Sequence, residues 1–181
     1  MWSAFKQPGL LGTVLAAAGI LMVTMGIRQS LGLFVSPINS STGLGVATIS
    51  LAFAVGQFAW GAIQPVAGAA ADRFGPRPVL IAGLILLALG CAVTPLVESG
   101  WGLTVSLGLM AAMGAGAGSF SVLIGAVSRD LPASSRGQAS GVINAGGSFG
   151  QFVFAPLAQK LIQHLGWMGA QVTMAVLALA A

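Results

Sequence analysis

The chain has 181 residues, of which 56% are hydrophobic and only 6% are Asp, Glu, Lys or Arg, against about 25% charged in an ordinary soluble domain. So few charges cannot cover the surface of a water-soluble fold of this size, so the medium around this chain is lipid. The formal net charge is +4, with no basic stripe interleaved with aromatics, and nucleic acid is therefore not an expected partner.

The charges are spaced along the chain. Uncharged runs separate Lys6 from Arg28, Arg28 from Asp72, Arg77 from Glu98, Glu98 from Arg129 and Arg136 from Lys160, and another follows Lys160. Each is long enough for the ~20 apolar residues that cross a ~30 Å hydrocarbon core. The run after Arg28 is about twice that length. Its middle, from Ser36 to Gly43, is polar and turn-rich and reads as a loop between two crossings. Six crossings result, at 10–35, 46–71, 78–97, 101–128, 137–159 and 167–181. The runs are continuous rather than alternating, which excludes a transmembrane barrel. The fold expected is an all-α integral membrane bundle of six helices. The last run is short of a full crossing, so the chain reads as stopping inside helix six. It is then either a fragment that lacks a second half or a half-size protein that pairs with another subunit.

Orientation follows from the basic residues, which are retained on the cytoplasmic side. With the N-terminus inside, Lys6, Arg73, Arg77, Arg129 and Arg136 are cytoplasmic and only Lys160 is outside. Cys91 stands alone, so no disulfide framework or cysteine-rich metal site forms within the chain. His164, also single, lies near the outer end of the fifth crossing, where an interfacial histidine and a proton relay are both open readings. Catalysis is not expected. Asp72, Glu98 and Asp130 are not at metal-ligand spacing, and Ser119 with His164 does not make a convincing protease pair.

Arg28 falls within the first crossing. A guanidinium cannot shed its charge and costs ~2.5–3.5 kcal/mol at a helix centre even on the lenient insertion scale. Its planar fork suits a carboxylate. Its place in the outer third of the span leaves substrate contact or gating, snorkelling to headgroups, and structural pairing all open. Gln57 and Gln64 share one face of the second crossing, and Asn144, Ser148 and Gln151 share one face of the fifth, by helical spacing. They either line a water-filled cavity or join helices by hydrogen bonds. Gly137, Gly141 and Ala145, then Gly146 and Gly150, and Gly114, Gly116 and Gly118 read as packing seams.

The connection between the second and third crossings, Gly68-Ala69-Ala70-Ala71-Asp72-Arg73-Phe74-Gly75-Pro76-Arg77, concentrates charge. Gly68 would let another helix approach, Gly75 allows a sharp turn, and Pro76 and Pro78 stiffen the next helix. Asp72, at the negative end of a helix dipole, requires a cation. Arg73, Arg77, Arg129 and Arg136 are candidates, the last two in a second loop that also holds Asp130.

This segment resembles the loop signature of the major facilitator superfamily, Gly-x-x-x-Asp-Arg-x-Gly-x-Arg, between helices two and three. The stretches 26–34, 60–68 and 136–141 are similar to the monocarboxylate transporter and oxalate/formate antiporter branch. The resemblance implies the N-terminal half of a twelve-helix secondary transporter, itself a 3+3 inverted repeat, with substrate bound near the midplane. It implies a gating role for Gly68, Asp72, Arg73, Gly75 and Arg77, with Arg129, Asp130 and Arg136 as loop partners. A substrate site at Arg28, Gln57, Asn144 and Ser148 completes the reading. The substrate expected is a small organic anion, carried by proton coupling or exchange across the inner membrane, with no cofactor other than a coupling proton. Phe154-Ala155-Pro156 departs from the ending seen in drug/proton antiporters. Carriage of another solute, drug efflux and a non-transporting assembly role remain the alternatives.

Overall fold

The computed structural model describes residues 10–129 and 131–181. Lys6, one of the residues behind the orientation, and Asp130, one of the loop partners, lie outside the described residues. Among the described residues the regular structure is all helical, with short breaks such as the one at Gly118 and Ser119 within α4. Helix α1 is Leu10–Thr42, α2 is Val46–Phe74, α3 is Pro76–Leu96 and α4 is Gly100–Ser128, and each is long and apolar enough to cross a membrane. Ala133–Leu179 is helical except at Gly166, whose φ of 71° breaks it into α5 (133–165) and α6 (167–179).

Helices α1 to α5 run longer than the expected spans, and α6 ends two residues earlier than expected. The polar cluster from Ser36 is not a loop: α1 passes through a tighter 3-10 turn at Leu31–Phe34 and continues to Thr42. Ser41 and Thr42 hydroxyls donate back to the Ile38 carbonyl at 3.1 and 2.8 Å, satisfying groups a loop would have left to water. Only Gly43, in the left-handed region at φ 67°, ends the helix. Arg28 consequently sits near the middle of a 33-residue rod rather than in the outer third of a shorter span. Between α2 and α3 the connection shrinks to Gly75, whose φ of 88° makes the turn, with Pro76 as the first residue of α3.

Packing depends on helices that meet backbone to backbone. α1 and α5 run in the same direction, with Ala18 against Gly146, Met22 against Gly150 and Gly26 against Phe154. α2 and α4 also run in the same direction, with Ala52 against Gly108, Gly56 against Ala112 and Trp60 against Gly116. α3 lies antiparallel to α4, where Gly83 and Leu87 meet Gly114 and Gly90 meets Ala111. The expected seam through Gly137, Gly141 and Ala145 is not formed among the described residues. A Cβ at Gly137 or Gly141 would touch nothing within 4 Å, and Ala145 is exposed. The face is shifted by one residue, to Gly146 and Gly150. Fully buried Ile27, Phe34, Ile49, Leu87, Leu107 and Met174 fill the main core, and a second cluster around Val14, Leu123 and Ile143 closes the other end.

Candidate functional site

Arg28 projects from α1 toward α2. Its Nη2 donates to Gln57 Oε1, its Nη1 donates to Gln29 Oε1 at 3.3 Å, and the guanidinium carbon stands 4.1 Å from the centroid of the Trp60 ring. Gln57 and Trp60 lie three residues apart on α2, so one helical face supplies both. The group therefore has amide and π partners but, among the described residues, no carboxylate. Neutral dipoles and a ring quadrupole hold a cation in place without cancelling its charge.

Arg28, Gln29, Gly32, Phe53, Gln57 and Leu107 line a cavity of about 320 Å³ between α1, α2 and α4. That is within the range of small-molecule sites. Leu107 belongs to a π-helical stretch of α4, Thr104–Ala111, whose wider turns lie beside the cavity. The cavity carries one positive charge, donors not used by Gln57 and Gln29, and mostly apolar walls. Chemically it is suited to a small anion that offers two oxygens to a guanidinium fork.

Not all the expected site residues meet there. Asn144 and Ser148 lie on an exposed face of α5 with Gln151, and neither lines the Arg28 cavity. Gln64 is held by its own helix, donating through Nε2 to the Trp60 carbonyl at 3.3 Å. Trp60 and Gln29 are site residues that sequence reasoning missed. The signal for Trp60 was its place one turn from Gln57.

At one end of the bundle Asp72 finds its cation. Arg129 Nη2 donates to Asp72 Oδ1 at 2.7 Å, joining the end of α2 to the end of α4. The other candidates are engaged elsewhere or left outside. Arg73 lies over the Phe74 ring at 5.2 Å, Arg136 Nε donates to the Leu131 carbonyl at 3.3 Å, and Arg77 is exposed. Gly68, Asp72, Pro76, Gly125 and Arg129 surround a cavity of about 180 Å³. The close approach expected at Gly68 is not made by any described part of this chain, since a Cβ there would meet nothing within 4 Å.

A bundle of apolar helices, with an arginine that meets no carboxylate among the described residues beside a small cavity and an ion pair tying two helix ends, defines a polytopic membrane protein. The chain belongs to the Major Facilitator Superfamily, whose pattern it matches over residues 10–181, and the members of that family are transporters. It is 32% identical to Monocarboxylate transporter 13 of Bos taurus over 177 residues, which cover 98% of this chain and 38% of that protein. It is 31% identical over 168 residues to the Oxalate:formate antiporter of Oxalobacter formigenes, covering 89% of this chain and 39% of that protein. The probable nitrate/nitrite transporter NarK2 of Mycobacterium tuberculosis is 32% identical over 126 residues, 67% of this chain and 31% of that protein. The chain thus spans less than half the length of each of these relatives.

Proposed function

We propose that this chain is the N-terminal, six-crossing half of a secondary carrier that moves small organic anions by alternating access. The observation that supports this most is Arg28: an intramembrane cation beside a cavity, with amide and π partners and, among the described residues, no acid paired with it. The solutes for which these relatives are named, monocarboxylate, oxalate with formate, and nitrate with nitrite, share one feature, a small planar anion. Arg28 binds the carboxylate through its fork, and Gln57 and Trp60 hold the guanidinium ready when the site is empty. Asn144 and Ser148 contribute from α5 to a cavity shared with a second half, whether that half is more of the same chain or another subunit. Flux is coupled to a proton or to a counter-anion. The N-terminus and the charged loops face the cytoplasm at the inner membrane.

Gly68, Asp72, Arg73, Gly75 and Arg77 form the gate in this reading. The open space over Gly68 receives a helix of the second half when the cytoplasmic ends close. The test is flux in proteoliposomes made with the intact carrier. Saturable carboxylate uptake in the unsubstituted protein, with affinity reduced at least about tenfold in a folded Arg28→Ala variant, supports the assignment, since hydrogen bonds to charged groups contribute about 1.5–3 kcal/mol. Unchanged uptake and affinity in that variant overturn it.

A further inference from the structure

The two parallel contacts in the fold are related to each other. On α5 the packing residues are Gly146, Gly150 and Phe154, and on α2 they are Ala52, Gly56 and Trp60, in each case small, small and aromatic at intervals of four. The sequence repeats there as well: Gly56-Gln57-Phe58-Ala59-Trp60 corresponds to Gly150-Gln151-Phe152-Val153-Phe154. Exposure follows the same correspondence. Phe58 and Phe152 are 78% and 76% exposed, while Ile49 and Ile143, at equal distances before the two segments, are both 0% exposed. Between them α1 and α4 run in opposite directions and touch where Thr24 Oγ1 donates to the Gly118 carbonyl at 3.3 Å. Exchanging α1 with α4 therefore exchanges α5 with α2, and brings Gln151 to the place of Gln57.

The two amides differ in what they meet. Gln57 accepts from Arg28. On α4 the residue two beyond Gly116, as Arg28 is two beyond Gly26, is Gly118, where the helix is interrupted (φ −90°, ψ 27°) and no side chain is on offer. Gln151 is exposed and makes no side-chain hydrogen bond among the described residues. From this we infer that Gln151 is a second substrate-binding amide, which takes a polar group at the far end of the anion from Arg28. The inference rests on the carrier reading above and deepens it. Gly26 and Phe154 share a level. Arg28 lies two residues beyond it and Gln151 three residues short of it, so they are separated by about 8 Å along the axis at ~1.5 Å per residue. With both side chains reaching inward, the span fits a carboxylate that bears a second oxygen function, and an amide can donate to or accept from such a group.

The test compares two probes in proteoliposomes of the intact carrier: oxalate, with a second carboxyl group, and acetate, which lacks one. Gln151→Ala is expected to weaken oxalate affinity about 3- to 10-fold and to leave acetate unchanged, while Arg28→Ala weakens both. Retained acetate handling shows that the Gln151 variant is folded. Gln151→Cys in a cysteine-free carrier is expected to react with a membrane-impermeant charged thiol reagent and to be protected by oxalate, whereas Ile143→Cys stays unreactive. Equal effects of Gln151→Ala on both probes, no effect on either, or an unreactive Gln151→Cys overturns the role of Gln151 while Arg28 sensitivity leaves the carrier reading standing. If the unsubstituted carrier takes up neither probe, the carboxylate reading itself fails and the role of Gln151 falls with it.

Discussion

The α1–α5 contact makes a sharp demand on Gly150. A methyl group there would meet the Met22 peptide, with its carbonyl carbon at 2.7 Å and its Cα at 2.8 Å, where ordinary contact begins near 3.4 Å. The obstacle is backbone, with the Met22 carbonyl oxygen nearest of all, so no rotamer change relieves it and the two helices must part at that level. Overpacking of this kind typically costs about 1–3 kcal/mol. Gly146→Ala meets the Ala18 carbonyl oxygen at 2.5 Å, so the same two helices must part there as well, by less. One separation relieves both clashes, so the double variant is expected to lose less than the sum of the singles. Gly141→Ala is the contrasting case. Its methyl enters open space, and alanine is favoured over glycine within a helix by up to about 1 kcal/mol. Thermal denaturation of the purified carrier in detergent, followed by size-exclusion chromatography, should show Tm lowered by several degrees for Gly146→Ala and Gly150→Ala and unchanged or raised for Gly141→Ala. Equal Tm values for Gly150→Ala and Gly141→Ala would refute the packing reasoning.

Two further outcomes follow from the site and the loop. Trp60→Leu removes a cation–π contact of about 0.5–2 kcal/mol, so carboxylate affinity should fall about 2- to 30-fold with maximal uptake retained, and any substrate-dependent change in tryptophan emission should disappear; unchanged affinity would remove Trp60 from the site. The Asp72–Arg129 pair is solvated, with side chains 81% and 48% exposed, so Asp72→Asn should cost under about 1 kcal/mol of stability. The same variant should shift thiol labelling between the two sides of the membrane, and exchanging the charges (Asp72→Arg with Arg129→Asp) should restore it; labelling identical to the unsubstituted carrier would leave Asp72 without a gating role.

Much of the fold is legible because lipid leaves its mark in one dimension. The spacing of charges locates α2, α3 and α4 to within a few residues, since a charge in the hydrocarbon is costly wherever the helix lies. The end of α1 was not legible. Ser36 to Thr42 has loop composition, yet its hydroxyls satisfy carbonyls inside the helix, and only three-dimensional continuity reveals that. The seams were visible as glycine-rich faces, but which of two adjacent faces on α5 meets α1 depends on where α1 stands. Arg28 was conspicuous by its charge and Gln57 by its polarity. Trp60 carried only its place one turn from Gln57, because an aromatic residue in a membrane helix does not stand out until a cation lies over it. Asp72 announced a need for a partner, and the choice of Arg129 over its sequence neighbour Arg73 was made by the packing of α2 beside α4.

The parallel pairing of α1 with α5 also orders the making of the protein. Helices leave the ribosome in sequence, so Arg28 can meet Gln57 and Trp60 as soon as α2 enters the bilayer beside α1. The glycine face that α1 presses against must wait until α3 and α4 have been made. Through that interval the bare peptide edge of Ala18 and Met22 is covered only by lipid or by the insertion machinery. Substitutions at Gly146 and Gly150 would then act on a late closure of the nascent bundle, and their products should be inserted, correctly oriented chains that quality-control proteases remove.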